Sequence, residues 1–278
     1  MDCRAVYSIA RKEFMDNWRN KWIMAVSAIF LILTLVISYF GSMGAEGTGW
    51  RDLDVTIMGM IMLVTLLVPI IGLMLGYATI VGEKERGSLE LLLSYPVGRI
   101  EVLAGKFLGL GAVLSVANFA GFGVAGVVIG VNVRGVQWGN YIMFILASIL
   151  LGLVFISVSM FFSSIFKKRS TAMGAAVFLW FLFEMIWNII IAGILTAQYG
   201  VGKVVDPNFM APNWFYVASL INPVKAYSAL VSLTIESVKN IAGNIPSFVN
   251  IPFTLTILFS WIIAAFVLTY YVFNKKDL

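Results

Sequence analysis

The chain has 278 residues, of which 60% are hydrophobic and only 12% charged, with a mean hydropathy of +0.95; soluble domains are about half apolar and a quarter charged, so a soluble fold is excluded. The absence of histidine removes histidine-based zinc sites, histidine-ligated haem and every Ser-His or Cys-His nucleophile pair. The net charge of +5 does not point to nucleic acid, because the basic residues lie between apolar runs, where they set membrane orientation.

Residues 2–21 are too polar to cross a bilayer, but Cys3, Tyr7, Ala10, Phe14 and Trp18 recur at helical spacing opposite Arg4, Arg11, Lys12 and Arg19. This pattern predicts an amphipathic helix over 1–21, lying on the inner leaflet. Cys3 is the one cysteine; it has no partner for an internal disulfide, and no apolar signal stretch precedes it. Six apolar runs then follow, at 22–40, 57–81, 107–131, 141–166, 171–195 and 252–273. The shortest holds 19 residues, which at ~1.5 Å per residue reaches ~28 Å, close to the ~30 Å hydrocarbon core.

In the second run, Met58, Met60 and Met62 suggest a copper(I) ligand set. At 100° per residue Met60 points away from the other two, so core or lipid-facing methionine is the expected role. The stretch after this run is the most informative in the chain. Gly82-Glu83-Lys84-Glu85-Arg86-Gly87-Ser88 forms a dense charge cluster, and Leu89, Leu92 and Leu93 follow on a short helix that must stop before Pro96. The leucines form a sticky face that either a partner protein or the bundle's own inner ends must cover. The segment from Gly98 to Lys106 is superficially like a phosphate loop, but six residues separate Gly98 from Gly105 and Phe107 stands where Ser or Thr is required. Binding of ATP by that route is excluded.

The third run contains Gly121-Phe-Gly123-Val-Ala-Gly126, a dinucleotide fingerprint by letter, yet without the strand and soluble helix that give it meaning. Together with Gly72 and Gly76, Gly105 and Gly109, and Gly126 and Gly130, each pair four apart, it predicts close helix packing through small residues. Asn118 in the same run is a candidate pathway residue. In the fifth run Glu184 is the one deep carboxylate, with Asn188 one turn later. A carboxylate at the bilayer centre costs about 2.5–3.5 kcal/mol, so it must face the bundle interior, either as an interhelical clamp or as a lining or gating residue. Residues 213–237 look almost long enough to cross, but Asn222, Pro223 and Lys225 interrupt them. The expectation is two short helices that enter the outer leaflet and return, with the Asn222-Pro223 turn near a dimer axis.

Fourteen of the nineteen lysines and arginines fall in the amino-terminal segment, the second and fourth connections and the tail. The opposite side carries Arg51, Arg134, Lys203, Lys225 and Lys239. Both termini are therefore expected in the cytoplasm. The aromatic residues agree, with Trp18 and Trp22 at the inner end of the first run and Trp50, Trp138 and Trp214 beside outer ends.

Glu83, Glu85, Arg86, Gly87, Ser88, Leu89, Leu92, Pro96, Arg99, Gly105 and Lys106 together resemble the permease subunits of type-two ABC exporters. Those carry a charge cluster, glycine, Ser or Thr, leucines, proline, arginine and a later Gly-Lys pair. Ile9-Ala10-Arg11-Lys12-Glu13-Phe14 is similar to the start of that family's connecting helix, and the six-run layout extends the likeness over the whole chain. Within the class the likeness is greatest to permeases of multicopper enzyme maturation, the kind that serves nitrous oxide reductase assembly.

The resemblance implies one all-α membrane domain over 1–278, working as a homodimer or heterodimer with two separate cytoplasmic ATPase subunits, since a fused ATPase would not fit in this length. Residues 83–96 would be the coupling helix inserted into the ATPase, with Lys167, Lys168 and Arg169 touching it from a second loop. ATP and Mg would bind the partner ATPase; this chain carries no catalytic motif and binds no cofactor, metal or nucleic acid. On this reading Glu83 and Glu85 are exposed, and reversing them uncouples transport without unfolding the permease. The function implied is a permease of an ATP-driven exporter in a prokaryotic cell membrane. The alternatives are a membrane subunit that transmits force to an extracytoplasmic partner and a secondary transporter. For the last, the internal repeats and matched helix breaks are missing.

Overall fold

The computed structural model describes residues 2–42, 53–132, 137–206, 209–235 and 246–275. Trp50, Arg51, Arg134 and Lys239 lie outside the described residues, as does the side chain of Met58. The described chain is helical throughout, with helices α1 (Cys3–Trp18), α2 (Lys21–Ser42), α3 (Leu53–Gly76), α4 (Val81–Glu85), α5 (Ser88–Leu93), α6 (Arg99–Asn132) and α7 (Trp138–Ile165). It continues through α8 (Arg169–Phe181), a π-helical turn (Leu182–Ile186), α9 (Trp187–Tyr199), α10 (Val201–Val204), α11 (Asn213–Ile221), α12 (Pro223–Thr234) and α13 (Ile251–Lys275). Six segments are long and apolar enough to cross a membrane: Lys21–Tyr39, Gly59–Glu85, Arg99–Val131, Trp138–Ile165, Arg169–Tyr199 and Ile251–Lys275.

The most enclosed helix is α7, and α3, α6, α12 and α13 pack around it. Small residues bring these helices close. A Cβ at Gly72 would lie 2.8 Å from the Gly152 carbonyl, and one at Gly76 would overlap Ser159 of α7, so the α3–α7 seam requires both glycines. Gly121 and Gly126 of α6 accept the rings of Phe30 and Tyr141 in the same way. Phe122 then stacks edge-on against Phe30 at 5.1 Å and Phe144 at 5.0 Å, joining α2, α6 and α7 through one aromatic column.

Three details add to the expectations. First, the face of α1 that packs on the bundle carries Val6, Ile9 and Glu13, whereas Cys3, Tyr7 and Trp18, on the face expected against the inner leaflet, are exposed on the chain. The cause lies in α6, where Gly105 and Gly109 make a notch: a Cβ at Gly105 would sit 2.7 Å from Cβ of Ile9, and one at Gly109 would sit 2.5 Å from the Ala10 carbonyl. Second, the 83–96 segment is two helices, because Gly87 takes a left-handed φ of 71° between α4 and α5. Third, the fifth run is not a regular helix: the π turn inserts an extra residue at Leu182–Ile186 and places Glu184 within it.

The connection between α10 and α13 divides at Asn222. Its side chain accepts a 2.9 Å hydrogen bond from the Val224 amide, and Pro223 occupies the first turn of α12, where its missing N–H is not needed. Helix α12 then buries Tyr227 and Leu230 against α7 and α13, with the Tyr227 hydroxyl 3.2 Å from that of Ser148.

Candidate functional site

One end of the bundle is built from the place where α3 stops. Past Gly76 the chain opens for four residues, and the amides of Ile80 and Val81 have no carbonyl within their own helix. Both donate to the hydroxyl of Ser163 on α7, at 2.9 and 3.0 Å. A side chain from another helix thus caps α4 and fixes its direction. The first turn of α6 holds Glu101, whose carboxylate accepts from the Gly98 amide at 2.9 Å and from the Asp2 amide. Asp2 in turn caps α1 through the Arg4 amide at 2.9 Å, so the starts of α1 and α6 share one carboxylate.

Between these fixed ends lies an ion network. The Lys106 ammonium, with only 1% of its side chain exposed, donates to Glu13 at 2.7 Å and forms an ion pair with Glu83 at 2.8 Å. Lys12 reaches the other oxygen of Glu83 at 2.8 Å and a Glu13 oxygen at 3.4 Å. Burial alone would lower the pKa of Lys12, but Glu83 and Glu13 outweigh it and hold that pKa above the ordinary lysine value. Three helices that are far apart in sequence therefore meet on Lys106. Such a buried set contributes little net stability while complete, but removing one member leaves an unpaired buried charge and costs about 3–5 kcal/mol.

Arg169, at the start of α8, makes the second junction. Its guanidinium donates to the Gly82 carbonyl at 2.6 Å and pairs with Glu85 at 3.0 Å, while its backbone amide donates to the same carboxylate at 2.9 Å. Gly82 permits this approach, since a Cβ there would meet the guanidinium at 2.9 Å. The opposite corner is closed by Arg99, which donates to the carbonyls of Phe273 and Asn274 at 2.7 and 2.9 Å and caps α13.

This geometry revises the expectation of free carboxylates. Glu83 points into the permease with 15% of its side chain exposed, and Glu85 is engaged by Arg169. Leu89 is buried in the chain's own core and Leu92 is half-buried. Among the described side chains of this stretch, Leu91 and Tyr95 are the large apolar ones left exposed, beside exposed Arg86, Ser88 and Pro96. The Ser88 hydroxyl turns back to the Glu83 carbonyl at 3.3 Å. Lys167 and Lys168 are exposed on the neighbouring turn.

The remaining candidates do not converge on one point. Asn118 is wholly buried; its amide donates to the Leu114 carbonyl at 2.9 Å, while its own oxygen finds no partner. Glu184 and Asn188 line a cleft of about 270 Å³ with Thr65, Lys225 and Ser228. The Asn188 amide donates to the Glu184 backbone carbonyl at 2.7 Å, not to its carboxylate. Asn222 and Pro223 are buried at the start of α12. Sequence reading missed Ser163, and it named Glu13 and Lys106 only within the family motif and, for Lys106, as a topogenic charge; the available signal for their pairing was Glu13 at helical spacing from Val6 and Ile9, and Lys106 beside Gly105.

Comparison with known proteins agrees with the whole-chain layout. A family model described as "ABC-2 family transporter protein" matches residues 7–278. The chain is 33% identical over 279 residues to the "Probable ABC transporter permease protein NosY" of Stutzerimonas stutzeri, covering 98% of each chain. It is 34% identical over 281 residues to the protein of the same name from Pseudomonas aeruginosa, covering 98% of this chain and 99% of that one. The chain belongs to the ABC-2 transporter family: it is a membrane permease of an ABC transporter, a class that works with ATPase subunits and a further permease chain.

Proposed function

We propose that this member of the ABC-2 family is the transmembrane half of an ATP-driven exporter in a prokaryotic cell membrane, with both termini in the cytoplasm and two permease chains over two ATPase subunits. The ATPase, which would hold ATP and Mg, engages the α4–α5 elbow through Leu91 and Tyr95. Its movement passes into the membrane along the Arg169–Tyr199 rod. The observation that carries this reading is the Arg169 clamp. Because the guanidinium and backbone amide at the foot of the rod both hold α4, a displacement of α4 moves the rod as well. Lys106 ties α4 to α1 and α6 by the same logic, so the inner end responds as a block with two discrete packings.

The test uses Leu91→Asp and Tyr95→Ala. Both side chains are exposed, so the permease keeps its thermal midpoint. Truncating a central apolar anchor costs an interface about 2 kcal/mol, so copurification of the ATPase should fall steeply. Unchanged copurification would remove the elbow as the docking surface.

A second reading, in which the rod delivers force to an extracytoplasmic partner without passing substrate, is favoured by the tie between the rod and the outer hairpin at Phe183 and Asn222. Substrate-stimulated ATP hydrolysis in liposomes separates the two.

A further inference from the structure

A groove of about 790 Å³ runs along the inner end of the bundle, between the α1–α2 elbow, the end of α3 with α4, and the first turn of α8. Its two ends differ in chemistry. At the cytoplasmic end stand Arg19 and Arg86. Lys12, Lys106, Arg99 and Arg169 are all held by carboxylates or carbonyls, whereas neither of these two guanidiniums has a side-chain partner among the described residues. One or two turns deeper the wall becomes apolar, with Ile23, Met74, Leu75 and Met173. Trp22 stands at the lip, 70% exposed, a side chain suited to the level of the lipid headgroups.

We propose that this groove binds one phospholipid of the inner leaflet, its phosphate between Arg19 and Arg86 and an acyl chain along Ile23, Met74 and Met173. The polarity gradient selects that occupant. An ATPase subunit remains in the cytosol and cannot cover a wall that belongs to the first turns of α2 and α8, and a free phosphate or nucleotide has no tail to fill it. Guanidinium groups bind phosphate oxygens bidentately, which gives position as well as charge. Net charge is not the source of selectivity: with Lys106 behind the wall, the cations Lys12, Arg19, Arg86 and Lys106 face the carboxylates of Glu13, Asp16 and Glu83. Asp16 is turned toward Lys12 at 3.8 Å, which leaves the two guanidiniums facing the groove. Because Lys12 and Glu83 line the same wall, the lipid would lie against the ion network that joins α1, α4 and α6.

The full-length chain, purified with its ATPase partner in detergent micelles doped with phosphatidylglycerol, is examined by native mass spectrometry. Wild type should retain one phospholipid per permease chain. Two basic groups near an anionic lipid contribute about 1 kcal/mol each, so R19Q/R86Q should lower the retained fraction about tenfold or more. R19K/R86K should restore part of it, and K84Q, whose ammonium is exposed outside the groove, should change nothing. Equal retention by R19Q/R86Q and wild type would overturn the site, as would an equal loss in K84Q, which signals general attraction to anionic detergent micelles. Displacement of the lipid by millimolar inorganic phosphate would overturn it too, by identifying a site for soluble anions. Equal thermal midpoints for the variants separate loss of lipid from loss of fold. None of these readouts uses transport, so the exporter reading stands or falls separately.

Discussion

The side-chain amide of Asn222 donates to the backbone carbonyl of Phe183 at 2.6 Å, and the same side chain accepts from the Val224 amide at 2.9 Å. The first contact is made possible by the π turn, because the Trp187 amide bonds the Leu182 carbonyl and leaves the Phe183 carbonyl without its usual α-helical partner. Indole groups reinforce the junction: Trp187 donates to the Ala218 carbonyl at 3.2 Å and Trp261 to that of Ile221 at 2.9 Å. Asn222→Ala removes a cap and orphans a buried carbonyl, so a loss of about 2–4 kcal/mol is expected. Asn222→Asp keeps the acceptor for Val224 but loses the donor for Phe183. Its thermal midpoint should fall between those of wild type and Asn222→Ala; a midpoint equal to wild type would show that the Phe183 contact contributes nothing.

Lys106→Met should destabilise the permease by about 3–5 kcal/mol by stranding Glu13 and Glu83. Adding Glu13→Met and Glu83→Met should return much of that loss. Thermal unfolding of the single and combined variants gives the coupling energy directly, and additive effects would argue against a shared network.

Glu83 and Glu85 should behave differently when reversed. Glu83→Lys places three ammonium groups together where α1, α4 and α6 meet and should prevent stable assembly, visible as loss of the monodisperse peak in size-exclusion chromatography. Glu85 is about a third exposed beside Arg169, and exposed pairs contribute about 0–1 kcal/mol. Glu85→Lys should therefore fold normally, with any defect confined to coupling.

Single cysteines in a Cys3→Ser background test the orientation. An impermeant maleimide added from outside should label Lys203→Cys and spare Ser88→Cys and Ser170→Cys, all three positions being exposed on the chain. External labelling of Ser88→Cys would reverse the topology.

The long runs were legible because crossing a bilayer demands length and apolarity, and both are countable. The break at Asn222 was legible for a local reason: proline forbids the preceding residue a helical continuation. The π turn had no such marker, since Leu182-Phe-Glu-Met-Ile186 has ordinary helix-forming composition, and the insertion is relieved only by a side chain 39 positions away. The exposure of Glu83 and Glu85 came from the family resemblance, which makes their segment a coupling helix. Their real partners are Lys12, Lys106 and Arg169, and nothing in a linear reading brings them together. For α1, the apolar pattern marked the face expected against lipid, while the face that packs on α6 stayed hidden, because Glu13 counts as polar until Lys106 is set against it.

The pairing of Glu13 with Lys106 across 93 positions also orders events during synthesis. Glu13 leaves the ribosome long before its ammonium partner exists, and the notch at Gly105 and Gly109 that receives α1 emerges at the same late moment. Until then α1 has no groove to occupy, and Glu13 has only the exposed Lys12 beside it as a counter-charge. It must wait outside the bundle, and its docking becomes a checkpoint that reports insertion of the third span. Nascent chains stalled short of Lys106 should have a protease-sensitive amino terminus, and chains stalled well beyond it a protected one.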